Sequence, residues 1–158
     1  MTHLPGQIAE FIPKWTQLNG EVAYFRYINY PGSPCEKFLH WNKMQGPPET
    51  DLCDELVSLA DDVHDKTYYT AITDAIRRKI EESNYAFVAC CGIDTAACIQ
   101  KTALDLFDIA IRPLVLTDLC ASGAGEEAHE AGLVSLRRAV GEDQVVSSSQ
   151  ALELLRIN

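Results

Sequence analysis

Cys98 occupies a position where a thiol can become a nucleophile. An apolar run, Tyr85–Cys91, and the segment Gly92-Ile93-Asp94-Thr95 precede it; Ile99, Ala103, Leu106, Phe107 and Ala110 recur around and beyond it at helical spacing. The pattern predicts strand, tight turn and helix, with Gly92 ending the strand and Asp94 or Thr95 capping the helix. Cys98 then lies in the first helical turn, where unpaired N–H groups and the positive end of the helix dipole favour a thiolate. The same placement also suits a small buried hydrophobe, which is what most free cysteines are.

The elements that must position this thiol read as α/β. Tyr85–Cys91 suits a strand buried on both faces, and Leu114–Leu116 resumes the strand pattern after Pro113. Such a βαβ unit demands a parallel sheet with a right-handed crossover, and open sheets of this kind hold ligands at the carboxyl ends of their strands. Upstream, Ile8, Phe11, Ile12, Trp15 and Leu18 mark an amphipathic helix over Gln7–Leu18 that Pro13 kinks or breaks, with Asn19-Gly20 as its stop. Glu21–Asn29 reads as a strand, Pro31–Pro48 as loop, Asp51–Leu59 as a short helix and Asp61–Lys66 as a weak edge strand. Tyr69, Ile72, Ala75, Ile76 and Ile80 form a helical stripe of core character. Ser122–Gly125 is a turn, Glu126–Val140 a helix, Gln144–Ser147 the last strand and Ser149–Leu155 a terminal helical turn or two. The prediction is one doubly wound (Rossmann-like) parallel sheet of about five strands flanked by helices, in a single domain over 1–158.

Composition narrows the function classes. A net charge of −10 argues against nucleic acid, which needs clustered Lys and Arg; the one basic triplet, Arg77-Arg78-Lys79, shares its helix with Glu81 and Glu82. No apolar run reaches membrane-spanning length, and Met1–Pro5 lacks the features of a signal peptide, so a cytoplasmic protein with no membrane partner is expected. The six cysteines fall in no CxxC pair or Cys/His cluster, which points to reduced thiols and to neither a structural metal nor a cofactor.

Gly92-Ile93-Asp94-Thr95-Ala96-Ala97-Cys98, continued by Thr102–Phe107, resembles the nucleophile segment of the isochorismatase-like cysteine hydrolases. Thr117–Ser122 with Glu126–Leu133 is similar to that family's next strand and helix, and Val145–Ser148 to its last strand; Val22–Asn29 and Asp65-Lys66 match more loosely. The superfamily includes nicotinamidases, N-carbamoylsarcosine amidohydrolases and ureidoacrylate amidohydrolases. The resemblance implies Cys98 as nucleophile and Lys66 beside it, favouring the thiolate and holding an oxyanion or carboxylate. It implies a cis peptide at Ile93-Asp94 that aims the N–H groups of Asp94 and Cys98 at one point as an oxyanion hole. By residue type alone, Asp94 is equally a helix cap and Lys66 equally a surface lysine. His129 matches a position of packing or hydrogen bonding.

The family's Asp-x-His metal pattern is absent from Arg26–Pro31, so no metal is expected. The family's triad also contains an aspartate on a first strand, and no matching segment occurs here. The expected remedy is a closed sheet of order 2-1-3-4-5 with Val22–Ile28 beside Tyr85–Cys91, since a vacant place would bury unpaired backbone groups. An upstream extension of the natural chain and a strand exchanged from a partner are the alternatives.

The resulting expectation is hydrolysis of a small amide or related C–N bond through a Cys98 thioester. Its competitor is a family-derived domain retained as a binding or assembly module. Isochorismate itself is disfavoured, because family members acting on it commonly lack the cysteine. A small-molecule substrate would be lined by Phe38, Trp41 and Tyr69. The family also implies a homo-oligomer, dimer or tetramer.

Overall fold

Apolar side chains on both faces of the strands dictate the architecture. Along β4 (Pro113–Ala121), Leu114 and Leu116 enter one core while Val115 enters the other, the two-residue alternation of a strand covered on both sides. The computed structural model describes residues 3–157. Of the Met1–Pro5 segment, Met1 and Thr2 lie outside the described residues.

The first core is closed by α1 (Leu4–Thr16), whose Leu4, Ile8, Phe11, Ile12 and Trp15 are buried, and by Ala151 of α7 (Ser148–Ile157). Pro13 does not break α1: the helix runs through it, held by the apolar residues on either side. The left-handed residue after the helix is Asn19 (φ 63°), not Gly20. Gly20 is needed for space, since a Cβ there would lie 2.1 Å from the Trp15 indole nitrogen.

The opposite core gathers α4 (Asp74–Ser83), α5 (Gln100–Asp108) and α6 (Glu126–Val140) against β3 (Val88–Ile93), β4 and β5 (Val145–Val146). Ile76, Ile80, Ile99, Ala103, Leu106, Leu133 and Leu136 supply its helical side.

All strand pairs are parallel, as expected, but they form two sheets. One pairs β1 (Tyr24–Tyr27) with β2 (Val63–Lys66); the other has the order β3-β4-β5. The predicted closure of β1 onto β3 is therefore not what is found. Each strand keeps its own parallel partner, and helices from both faces bury the two sheets together. Gly92 does not end β3 either. It sits within the strand at φ 115°, where the register jumps from Cys90↔Val115 to Gly92↔Cys120.

Four further expectations are corrected. The stretch 31–48 contains α2 (Pro34–Leu39), capped by Ser33, whose hydroxyl accepts from Glu36 N; Pro34 stands in the first turn, where proline is compatible with a helix. The helix near Asp51–Leu59 shrinks to α3 (Asp54–Val57). The Tyr69–Ile80 stripe begins only at Asp74 behind its Thr73 cap, which leaves Tyr69 in the preceding loop and Ala75 exposed. Phe107 is half exposed and Ala110 lies beyond the end of α5 in a left-handed turn, so neither belongs to the core.

Candidate active site

Cys98 sits in a π-helical turn, Thr95–Ile99, which joins β3 to α5. Asp94 starts this turn and organises it. Its carbonyl accepts from Ala97 N and Ile99 N, and its carboxylate from Ala96 N (3.1 Å), Ser122 Oγ (3.0 Å) and Gly123 N (2.9 Å). Asp94 is thus both cap and clasp between the ends of β3 and β4. The Cys98 N–H takes no part in these bonds, and the Ile93–Asp94 peptide is cis. Thr95, fully buried, joins the turn to α6 through its hydroxyl, 2.8 Å from His129 Nδ1.

Lys66 reaches the thiol from the other sheet. It ends β2, its side chain is 8% exposed, and its Nζ donates to three acceptors: Tyr69 O (2.7 Å), Tyr68 O (2.8 Å) and Cys98 Sγ (3.3 Å). An ammonium has three hydrogens and no lone pair, so all of its donors are engaged. The loop after Lys66 is pinned by Ala71 N donating to the buried Thr102 hydroxyl on α5.

Tyr27 covers the ammonium, with its ring centroid 5.4 Å from Nζ. Its hydroxyl lies 3.0 Å from the Sγ of buried Cys35 on α2, and its ring packs by Trp41 at a 6.3 Å centroid distance. The Tyr69 phenol is close enough to Cys35, Cys98 and Asp94 for all three to raise its pKa, after burial as the larger cause. Tyr69 thus lies near the thiol and Trp41 beside Tyr27, whereas Phe38, on α2, is 77% exposed. Asn29 holds the segment carrying α2 and Trp41. Its amide donates to Trp41 O and Lys43 O, and its carbonyl oxygen accepts from Tyr30 N and Ser33 Oγ.

The six thiols are all free, and their surroundings differ. Burial pushes Cys90 up to about 12 and Cys91 up to about 11, and raises Cys120 well above the ordinary thiol value. Cys98 is half-buried with an ammonium against its sulfur. Two strand aspartates have partners of their own: Asp65 accepts from Arg26 (2.7 and 3.0 Å), and Asp118 from Ser148 N and Oγ (2.7 and 2.6 Å). Glu126, His129 and Glu130 place three potential metal-ligating atoms within 4.8 Å of one another, all from one side of α6.

Residues 1–149 match the isochorismatase domain family model. The chain belongs to the isochorismatase family. No curated protein matches it. Among solved structures, this isochorismatase-family chain is similar to an isochorismatase-like hydrolase from Alkaliphilus metalliredigens (TM-score 0.81, 19% identity, covering 97% of this chain and 85% of that one). It is similar to a nicotinamidase from Bacillus subtilis (TM-score 0.79, 18% identity, 92% and 84%). A third likeness is to N-carbamoylsarcosine amidase from Thermoplasma acidophilum (TM-score 0.76, 20% identity, 92% and 82%).

Within this family member, the residues that sequence reading missed are Tyr27, Cys35 and Asn29. Tyr27 could have been found from the β1–β2 register, which sets it opposite Lys66, but that register is not visible in the strands' own residues.

Proposed function

We propose that this chain is a cysteine hydrolase that cleaves a small amide or related C–N bond through a thioester on Cys98. The observation that carries the reading is the Lys66 Nζ to Cys98 Sγ contact of 3.3 Å. A buried ammonium whose third hydrogen points at sulfur favours the thiolate and keeps a proton beside it.

That ion pair supplies both halves of the proton cycle. The thiolate adds to the substrate carbonyl, and the N–H groups of Asp94 and Cys98 hold the oxyanion. As the intermediate collapses, the C–N bond breaks and Lys66 gives its proton to the leaving nitrogen. An amine or ammonia departs, leaving a Cys98 thioester and a neutral lysine. Water then adds to the thioester carbonyl while Lys66 takes a proton from it. The C–S bond breaks, a carboxylic acid leaves, and thiolate and ammonium are restored.

This cycle draws on no carboxylate, and Asp65, Asp94 and Asp118 are each engaged by other partners. Trp41 and Tyr69 line the approach of a small substrate, and Phe38 extends that wall outward.

Peptide mapping after brief iodoacetamide treatment at pH 7 tests the reading. Cys98 is expected to react faster than the exposed Cys53, and Lys66→Met to slow it by about tenfold. Release of ammonia or amine from N-carbamoylsarcosine, nicotinamide and simple amides is expected to include at least one substrate whose turnover Cys98→Ser abolishes. Labelling of Cys98 no faster than Cys53 overturns the nucleophile. Rapid labelling with no turnover across the amides leaves a thiol-bearing binding module.

A further inference from the structure

We propose that Tyr27 is the positioning residue that keeps the Lys66 ammonium on the Cys98 sulfur; this rests on Cys98 acting as a thiolate. Tyr27 and Lys66 are direct partners in the β1–β2 register, so their side chains leave the sheet on the same side. The ammonium stands 5.4 Å from the Tyr27 ring centroid, within the range where a ring's negative face attracts a cation. Lys66 is 8% exposed, so water contributes little to holding that charge. Two backbone carbonyls, a sulfur and an aromatic face do so instead.

The ring is itself fixed. Its hydroxyl shares a hydrogen bond of 3.0 Å with Cys35 Sγ, and Trp41 packs against the ring. Cys35 and Trp41 belong to the segment that Asn29 and Ser33 lock together through a 2.6 Å bond. Burial, with Cys35 as a further cause, raises the phenol's pKa, so Tyr27 stays neutral and does not compete as an anion for the Lys66 proton. What Lys66 receives from Tyr27 is therefore the ring face rather than the hydroxyl. The inference separates the two: ring removal uncouples the ammonium from the sulfur, whereas hydroxyl removal leaves the pair in place.

The experiment measures the iodoacetamide rate of Cys98 at pH 7 and at pH 10 in the full chain, by mass spectrometry of the Cys98 peptide. The ratio of the two rates reports ionisation, because access to the sulfur cancels. Tyr27→Leu is expected to lower the ratio about threefold to tenfold, and Tyr27→Phe to leave it within about twofold. Circular dichroism and thermal melting confirm folding, and Tyr27→Met replaces the leucine variant if that one does not fold. An unchanged ratio in folded Tyr27→Leu overturns the proposal, as does an equal fall in Tyr27→Phe. A wild-type Cys98 ratio no higher than that of Cys53 overturns the thiolate reading, and this proposal with it.

Discussion

His129 Nδ1 lies 2.8 Å from Thr95 Oγ1, and this buried contact binds the start of the Cys98-bearing turn to the helix packed over it. Thr95 begins the turn that carries Cys98, and His129 stands in the first half of α6. The imidazole therefore does the packing and hydrogen-bonding work expected for its position. Breaking a buried polar pair from one side strands the other group. Thr95→Val and His129→Phe are each expected to lower stability by about 1–3 kcal/mol, and the double variant by less than the sum. Urea denaturation of the four proteins measures the coupling; strict additivity would show that the two side chains act independently.

Asn29 supports a whole segment from one amide. It is 2% exposed, and both ends of its side-chain amide serve residues 30–43. Asn29→Ala is expected to cost about 1–3 kcal/mol for the buried groups left unpaired. It should also speed limited proteolysis between α2 and Lys43. Cleavage at the wild-type rate would mean that the segment is held by other contacts.

Gly132 allows α6 to approach the turn that carries Cys98. A Cβ there would stand 3.1 Å from Thr95 Cγ2 and 3.2 Å from the backbone of Ala96. Backbone cannot swing aside, so even Gly132→Ala is expected to destabilise by about 1–3 kcal/mol despite alanine's better helix propensity. The same variant should slow Cys98 labelling, because the displaced turn carries the sulfur. A stabilised Gly132→Ala would show that the turn yields freely.

The Lys79 ammonium, 2.9 Å from Asp62, holds that carboxyl below the usual carboxylate range, with His64 contributing. A depressed folded value contributes stability that is complete above the unfolded value and is lost as pH falls through the folded one. The difference between wild type and Asp62→Asn should therefore be present at pH 6 to 8 and shrink below about pH 4. Both side chains are partly solvated, so the difference should lie under about 1 kcal/mol. A difference that grows on acidification would reverse the assigned sign.

The turn that carries Cys98 was legible because its residues are contiguous: the apolar strand, Asp94 and Cys98 follow one another within eleven positions of Val88. The helices of the second core were legible for the same reason, as their stripes are local. Lys66 was found through the family resemblance, and its three acceptors include backbone carbonyls that carry no residue signature. Tyr27 and Cys35 escaped notice because what places them at the site is the register between separate strands and the path of a loop read as irregular. Pro34 of that loop stands in the first turn of α2, which tolerates proline. The single closed sheet was expected from backbone pairing alone, which does not weigh how well helices can hold two sheets side by side.

The Lys66 amine comes from one sheet and the Cys98 sulfur from the turn that leaves the other. On the proposed reading, neither half of the molecule can prepare the reaction alone. A chain still assembling, or one worked loose by heat, would carry a thiol with no ammonium beside it. Completed tertiary structure would then be the switch that arms this residue, and its alkylation rate would double as a gauge of how well the two halves are seated.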